Sequence, residues 1–366
     1  MADSPLRLGI IGCGSISTNY LGFARHYAIL KPVACADLVP KRARALGDAF
    51  ALRPVSVEAL VEDADIDLVL NLTIPQAHAQ VTLAAVEHGK HVWSEKPLAV
   101  TRQDGARIVA AARRQQVRVG CAPDTFLGSG QQVARKAIDR GDIGRPIAAT
   151  AFLMSSGDRG SHPNVQMLFD VGGGPMFDFG PYYLTALINL LGPIHRVTGS
   201  AVITRPTRTL TDGDRAGQTI PVTTPDHVSG TIEFQSGAVA TIVTSFAVWH
   251  SPHQLIHVFG TEGTLAVPDP NVFDGPVRLR GARDKDWRDL TPAHAAGHGR
   301  SAGAAEMAHA LAGGRPHRAG LEQAFAVLDA MEGFLDSARD GKAHDVSAPH
   351  ERPAPVPEGL GPYVFE

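Results

Sequence analysis

The sequence predicts an α/β protein of two domains, a doubly wound parallel sheet at the N-terminus and a second domain of helices with antiparallel strands. Three observations carry that expectation. Short apolar runs alternate with segments of helical periodicity through the first 120 or so residues, the pattern of βαβ units. A glycine turn joins the first run to the first helical segment. After residue 124 the text changes to short runs rich in Val, Ile, Thr and Phe with Gly-containing turns between them. A chain of 366 residues has room for two or three domains. The expected division is 1–123 and 124–366.

In the first part the apolar runs are residues 6–12, 33–36, 66–72, 91–93 and 117–121. Runs this continuous suit strands covered on both faces. The helical segments are 15–27, 40–50, 76–88 and 102–115, and Gly89 is a stop signal just past His88. In the second part a helix is expected at 129–140, ending at Gly141, then a stretch punctuated by Gly and Pro, then a helix at 181–191. Residues 228–234, 238–246, 255–259 and 264–267 read as an antiparallel meander. Helices at 304–312 and 321–339 follow, and Pro-rich residues 349–357 read as an extended tail.

Composition narrows the function. Hydrophobic residues make up 44% and charged residues 19%, which is the balance of a folded chain. Lys+Arg is 34 against Asp+Glu 37, a net charge of −3, and no basic run offers the footprint that nucleic-acid phosphates demand. No apolar stretch approaches the roughly 18 residues of a membrane span. The first residues lack a basic segment followed by an apolar one, so a cytoplasmic protein is expected. Cys13, Cys35 and Cys121 have no paired spacing; they read as small core residues, not as a disulfide framework or a metal site.

Three motifs carry chemistry. Gly12-Cys13-Gly14-Ser15-Ile16-Ser17 lies between the first strand and the first helix, a variant of the dinucleotide fingerprint. Gly12 permits the turn, Gly14 lets backbone approach a pyrophosphate, and Ser17 is small enough for helix–strand packing. The helix N-terminus supplies amides to the phosphates. Asp37, at the end of the second run, stands about 20 residues on, where a carboxylate accepts from both adenosine ribose hydroxyls and repels a 2′-phosphate. That predicts NAD over NADP, with Arg42 a few residues further on as a cation that works against the preference. Second, Lys96 in His91-Val92-Trp93-Ser94-Glu95-Lys96-Pro97 follows a parallel strand, where α/β folds put their ligands. Beside a cationic nicotinamide its ammonium is disfavoured. It is either a reacting group or an ordinary charged turn. Third, Gly172-Gly173-Gly174 precedes Asp178 and Tyr182, four apart and on one face if the stretch is helical. A carboxylate and a phenol so placed can hold and deprotonate a hydroxyl; an Asp at a helix start can equally be a cap.

Together the Gly12/Gly14 loop, Asp37, Thr73-Ile74-Pro75-x-x-His78, Gly89-Lys90-His91-Val92-x-x-Glu95-Lys96-Pro97 and Gly172-Gly173-Gly174-x-x-x-Asp178 resemble the Gfo/Idh/MocA oxidoreductases. The resemblance covers nearly the whole chain. It implies a Rossmann domain followed by an α/β domain with a large open, mostly antiparallel sheet, NAD as cofactor, and homodimers or homotetramers. It implies cofactor contacts from Gly12, Gly14, Ser15, Ile16, Asp37, Thr73, Ile74, Pro75, His78, Glu95 and Lys96, and chemistry by Lys96, Asp178 and Tyr182. The family pattern has His where this chain has Tyr182, and some sugar-oxidising relatives also carry Tyr there. An unperturbed phenol titrates near 10, and a nearby ammonium would bring it toward a useful range.

The expected activity is NAD-dependent hydride transfer at a secondary hydroxyl of a sugar, glycoside or cyclic polyol. The alternatives are an NAD-assisted glycosidase of the same fold and a sugar- or dinucleotide-sensing protein without turnover. Other matches fail on context. Gly299-x-Ser301-x-Gly303 follows a loop and not the strand that a nucleophile elbow requires. Asp178-Phe179-Gly180 has no kinase catalytic loop before it. His250, His253 and His257 cluster around Pro252 with no H-E-x-x-H spacing, so no metal is expected. Arg300 and His162 are loop residues that could touch substrate.

Overall fold

The computed structural model describes residues 5–157, 164–253, 255–292 and 295–365. They form two compact units. The first comprises Met1–Gln132, Pro292–Phe325 and Pro353–Glu366; the second comprises Val133–Thr291 and Ala326–Arg352. Against a single cut after residue 123, the first unit thus runs nine residues further and takes in two later segments.

The first unit begins β1 (Leu6–Ile11), α1 (Ser15–Ala24), β2 (Leu30–Ala36), α2 (Pro40–Phe50), β3 (Arg53–Val55), α3 (Val57–Glu62), β4 (Leu68–Asn71), α4 (Pro75–Glu87), β5 (His91–Ser94), α5 (Arg102–Gln115) and β6 (Val119–Cys121). The strands make one parallel sheet in the order β3-β2-β1-β4-β5-β6. The order reverses between β1 and β4, and such a switch point is where doubly wound sheets bind ligands. The apolar runs are the buried strands: all four residues of β4 are buried. Two elements had no apolar run to announce them. β3 is three residues long and mostly exposed at the sheet edge, and α3 is a short helix whose N-cap, Ser56, accepts from the Ala59 amide at 3.1 Å. The helix expected to reach residue 27 ends at Ala24, because His26 and Tyr27 turn back onto Phe23 and Ala24 through tighter backbone bonds.

Later segments complete this unit. In α9 (Ala302–Ala312), Gly303 lies against Trp93, and a Cβ there would come within 1.9 Å of the indole. Gly299 meets the Phe23 ring in the same way. The spacing that resembles a nucleophile elbow is therefore set by two aromatic contacts. Ser301 between them is fully buried and donates its hydroxyl to the Tyr20 carbonyl at 3.0 Å. The Pro-rich tail is extended, as expected, and anchored: the Val356 amide donates to Gln132 Oε1 at 2.8 Å, and Arg318 donates to the carbonyls of Ala354 and Pro355. Phe365 is fully buried between the rings of His298 and Tyr27.

The second unit is built on a nine-stranded sheet. Its strands are β7 (Pro146–Met154), β8 (Ile194–Val202), β11 (His227–Phe234), β12 (Val239–Ser245), β13 (Ile256–Gly260), β14 (Gly263–Val267), β15 (Arg278–Gly281), β16 (Arg288–Asp289) and β17 (His344–Asp345). A two-stranded ribbon, β9 (Thr207–Thr209) and β10 (Thr219–Pro221), is inserted between β8 and β11. The helices are α6 (Ser129–Asp139), α7 (Gly174–Asp178), α8 (Gly180–Leu191) and α10 (Leu321–Asp340), of which α6 and α10 each begin in the first unit. The sheet order is β16-β15-β14-β13-β7-β12-β11-β8-β17, antiparallel at every pairing except β12 with β7. The simple meander is corrected here. β11–β12 and β13–β14 are hairpins as expected, but β7 lies between them, parallel to β12. Two of its buried positions are Ala149 and Ala151, too small to mark the segment as a strand. On the covered face, paired Gly199 and Gly230 leave a slot for Phe334 of α10.

Candidate active site

The glycine turn after β1 is shaped by sterics. Gly12 has φ +100°, and a Cβ there would lie 2.6 Å from the Leu72 carbonyl oxygen beyond β4. Only glycine takes that conformation and that contact freely. Gly14 is different: its φ is −81°, and a Cβ there would point into open space. It caps α1 without a side-chain bond, and no acidic residue occupies the first turn. Gly14 and Ser15 are exposed and Ile16 half-buried, so the helix end presents its amides outward. Ser17 is buried and donates its hydroxyl to the Gly14 carbonyl at 2.6 Å.

Asp37, just past β2, closes the turn. Its carboxylate accepts from the Cys13 amide at 2.9 Å and from the Val39 amide at 2.8 Å. Cys13, expected in the core, is half-buried in this turn with its thiol on the Ala36 carbonyl; Cys35 and Cys121 are buried as expected, and all three are free. Leu38 beside Asp37 is 90% exposed, and Ile74 beyond β4 is 50% exposed. These residues fit a dinucleotide: open amides for a pyrophosphate, a carboxylate just past β2 for a ribose and bare apolar side chains for a base.

Thr73, Ile74 and Pro75 lead into α4, with Ile74 as cap and Pro75 in the first turn. His78 is buried beneath them, not exposed to a ligand. One ring nitrogen faces the Pro97 carbonyl at 2.6 Å and the other the Thr73 carbonyl at 3.1 Å. The ring thus ties the loop after β4 to the turn after β5. Burial holds its pKa below the ordinary value, against the pull of the two carbonyls.

Glu95 is also a holding residue. Its carboxylate accepts from the Tyr20 phenol at 2.7 Å and from the Lys96 amide at 3.1 Å, and its own amide donates to the Asn71 carbonyl. Lys96 itself is half-buried, and the Lys96–Pro97 bond is cis, as is Ala122–Pro123. Two supporting residues escaped the sequence reading. Tyr20 is fully buried, with its phenol pushed up by burial and by Glu95. Asp124 is fully buried three residues past β6, paired with Arg300 at 3.4 Å and accepting from the Gly303 amide at 3.0 Å; burial pushes its carboxyl up. Asp124 was findable, because it follows a parallel strand as Lys96 does. Arg300 is the partner of this carboxylate.

In the second unit Asp178 is the last residue of α7 and Tyr182 the third of α8. The two helices join through Phe179, whose carbonyl accepts the Tyr182 amide at 2.9 Å. Asp178 is half-buried and Tyr182 is 6% exposed, its ring tilted against Phe179. α8 is capped by Phe179, so Asp178 is not its cap. His253 and His257 rest separately on Phe152 and Trp287, and no group of three metal-binding side chains converges among the described residues. His162 lies outside them.

Residues 6–122 match the family described as an oxidoreductase family with an NAD-binding Rossmann fold, and residues 131–266 match the GFO/IDH/MocA C-terminal domain. The chain belongs to the Gfo/Idh/MocA oxidoreductase family. A 1,5-anhydro-D-fructose reductase of Ensifer adhaerens is 30% identical over 300 residues, covering 79% of this chain and 84% of that one. An inositol 2-dehydrogenase of Klebsiella pneumoniae is 36% identical over 154 residues, 39% of this chain and 44% of that one. Among solved structures, levoglucosan dehydrogenase in complex with NADH and levoglucosan is similar with a TM-score of 0.80 at 22% identity, covering 94% of this chain and all of that one. That likeness speaks to the fold, which agrees with the parallel sheet and the large mixed sheet described above. The chain is thus an oxidoreductase with an NAD-binding Rossmann domain.

Proposed function

We propose that this oxidoreductase interconverts a secondary hydroxyl and a ketone on a sugar or cyclic polyol. The relatives named for anhydrofructose and inositol support that class. The observation that carries the reading is the first unit's edge at the switch point: an open amide-lined turn at Gly14, Asp37 closing it, and Lys96 held by Glu95. Gly12, Gly14, Ser15 and Ile16 hold the pyrophosphate, Asp37 the adenosine ribose, and Leu38 with Ile74 the base. Thr73, Pro75 and Glu95 shape the nicotinamide side, with His78 acting through Thr73 and Pro97. When bound, the nicotinamide accepts or returns a hydride at C4. Lys96 binds and orients the reacting hydroxyl, Asp178 holds it, and Tyr182 takes its proton.

The test is an absorbance screen for NADH formation across inositols, aldoses and anhydrosugars, with the ketones supplied in the reverse direction. Turnover with at least one member is expected; NADH binding without turnover on any member overturns the reading. A titration should show NADH binding more tightly than NADPH, because Asp37 repels a 2′-phosphate; the reverse order overturns that part.

Two wider assignments belong with this reading. A homodimer or homotetramer would use the outer face of the nine-stranded sheet, where Val239 pairs beside Ala148, Thr241 beside Thr150 and Val243 beside Phe152, and where Val239 is 44% exposed. Light scattering would read a multiple of 38.7 kDa; a monomer at micromolar concentration overturns it. The three free cysteines accord with a reducing cytoplasm, and no described helix is long and apolar enough to cross a membrane.

A further inference from the structure

The second unit contains a cavity of about 300 Å³ that none of these roles uses. It lies between the β9–β10 ribbon, the residues after β7 and the segment after β12. That volume is at the lower end of small-molecule sites. Its lining includes two guanidinium groups, Arg205 and Arg208, three threonine hydroxyls and the Trp249 indole, with no carboxylate among the described lining residues. Trp249 is 63% exposed, so a broad aromatic face is left in water at the mouth.

The two arginines differ. Arg208 is fixed as part of the wall: it donates to the carbonyls of Ser156 and Phe246, lies 4.9 Å over the Phe169 ring, and stands 3.5 Å from fully buried Asp226. Asp226 is in turn held by the Thr204 amide and hydroxyl, so its charge offsets that of Arg208. Arg205 is exposed on the approach to β9 and is the guanidinium left to a ligand. The wall behind is rigid, since Phe169, Leu210 and Phe246 belong to one buried apolar cluster.

We propose that this cavity binds a sugar ring bearing an anionic group, the ring lying on the Trp249 indole and the anion on the Arg205 guanidinium. A guanidinium matches a carboxylate or a phosphate through paired donors. An indole face offers a broad apolar platform for the C–H face of a pyranose while its edge stays wet. The threonine hydroxyls of Thr207, Thr209 and Thr211 supply donors and acceptors for ring hydroxyls. A neutral sugar lacks the partner for Arg205, and a small inorganic anion lacks the ring.

Tryptophan fluorescence tests this directly, because Trp93 is fully buried and Trp287 stacks on His257, leaving Trp249 as the indole at a cavity mouth. The full-length protein is titrated with glucuronate, glucose 6-phosphate, glucose and inorganic phosphate. Saturable change is expected with glucuronate or glucose 6-phosphate at concentrations at least about tenfold below any response to glucose, the ratio worth one charge-assisted bond. The two acids separate a carboxylate site from a phosphate site. Arg205→Gln should remove the preference for the acids, and Trp249→Phe should remove the signal; both positions are exposed, so both variants fold. Binding should persist in Lys96→Met. No saturable response to either acid, an equal response to glucose, a response retained in Trp249→Phe, or one lost with Lys96 overturns the proposal.

Discussion

Lys96 is presented by a turn that Glu95 pins from below, one carboxylate oxygen on the Lys96 amide and the other on the Tyr20 phenol. The side chain's chemistry and its placement therefore rest on different residues and can be separated. Lys96→Met should abolish turnover and leave NADH binding nearly unchanged, since the pyrophosphate is assigned to backbone amides. Retention of more than about a tenth of the wild-type rate, a loss under about 1.4 kcal/mol, removes Lys96 from the chemical step. Tyr182→Phe takes away only the phenolic oxygen of a buried ring that packs on Phe179. It should lower kcat by about 10²–10⁴ and flatten one limb of the pH–rate profile. Near wild-type turnover in that variant, together with an inactive Asp178→Asn, assigns the proton transfer elsewhere.

At the scale of single elements, the β1–α1 turn holds two glycines with opposite duties. Gly12→Ala forces a Cβ against the Leu72 carbonyl in a left-handed backbone, at a cost of about 1–3 kcal/mol or more. Gly14→Ala meets nothing and keeps an ordinary φ, so melting should stay close to wild type while NADH affinity drops by about tenfold or more, the methyl standing where the ligand approaches. A Gly14→Ala protein that binds NADH normally contradicts the placement of the pyrophosphate. This turn was legible in advance because its requirement is local: a strand, two glycines and a helix start within a dozen residues. β7 was not. It earns its central place from pairing with β12 and β13, about a hundred residues away, and its buried positions are alanines. The same holds for the support of the site. Glu95, Lys96 and Asp37 sit in recognisable motifs, but Tyr20 meets Glu95 across 75 residues and Ser301 meets Tyr20 across 281, distances over which no sequence period operates.

For the whole molecule, histidine burial sets the response to acid. His78, His91, His257, His317 and His350 are all held below the ordinary imidazole value, desolvation being the first cause in each. A depressed folded value means the stabilising contribution is complete above the unfolded pKa of about 6.5 and is lost as pH falls through the folded values. Asp124 runs the other way: its raised carboxyl contributes fully below about pH 4 and loses that contribution as pH rises. The net expectation is a Tm that is level near pH 7.5 and declines below about 6.5, measured by calorimetry at constant ionic strength. A Tm at pH 5.5 equal to or above that at 7.5 overturns it.

The return of late segments to the first unit has a consequence for synthesis. A ribosome delivers the six parallel strands within the first third of the chain, yet Trp93 still awaits Gly303, Asp124 awaits Arg300, and Tyr27 awaits Tyr363 and Phe365. The nascent sheet must therefore wait, with apolar surface uncovered, while the other unit is translated. Segments of the dinucleotide-binding unit thus flank the other unit in the chain, and a stop codon placed a few residues before Phe365 would injure strands and helices made more than two hundred residues earlier.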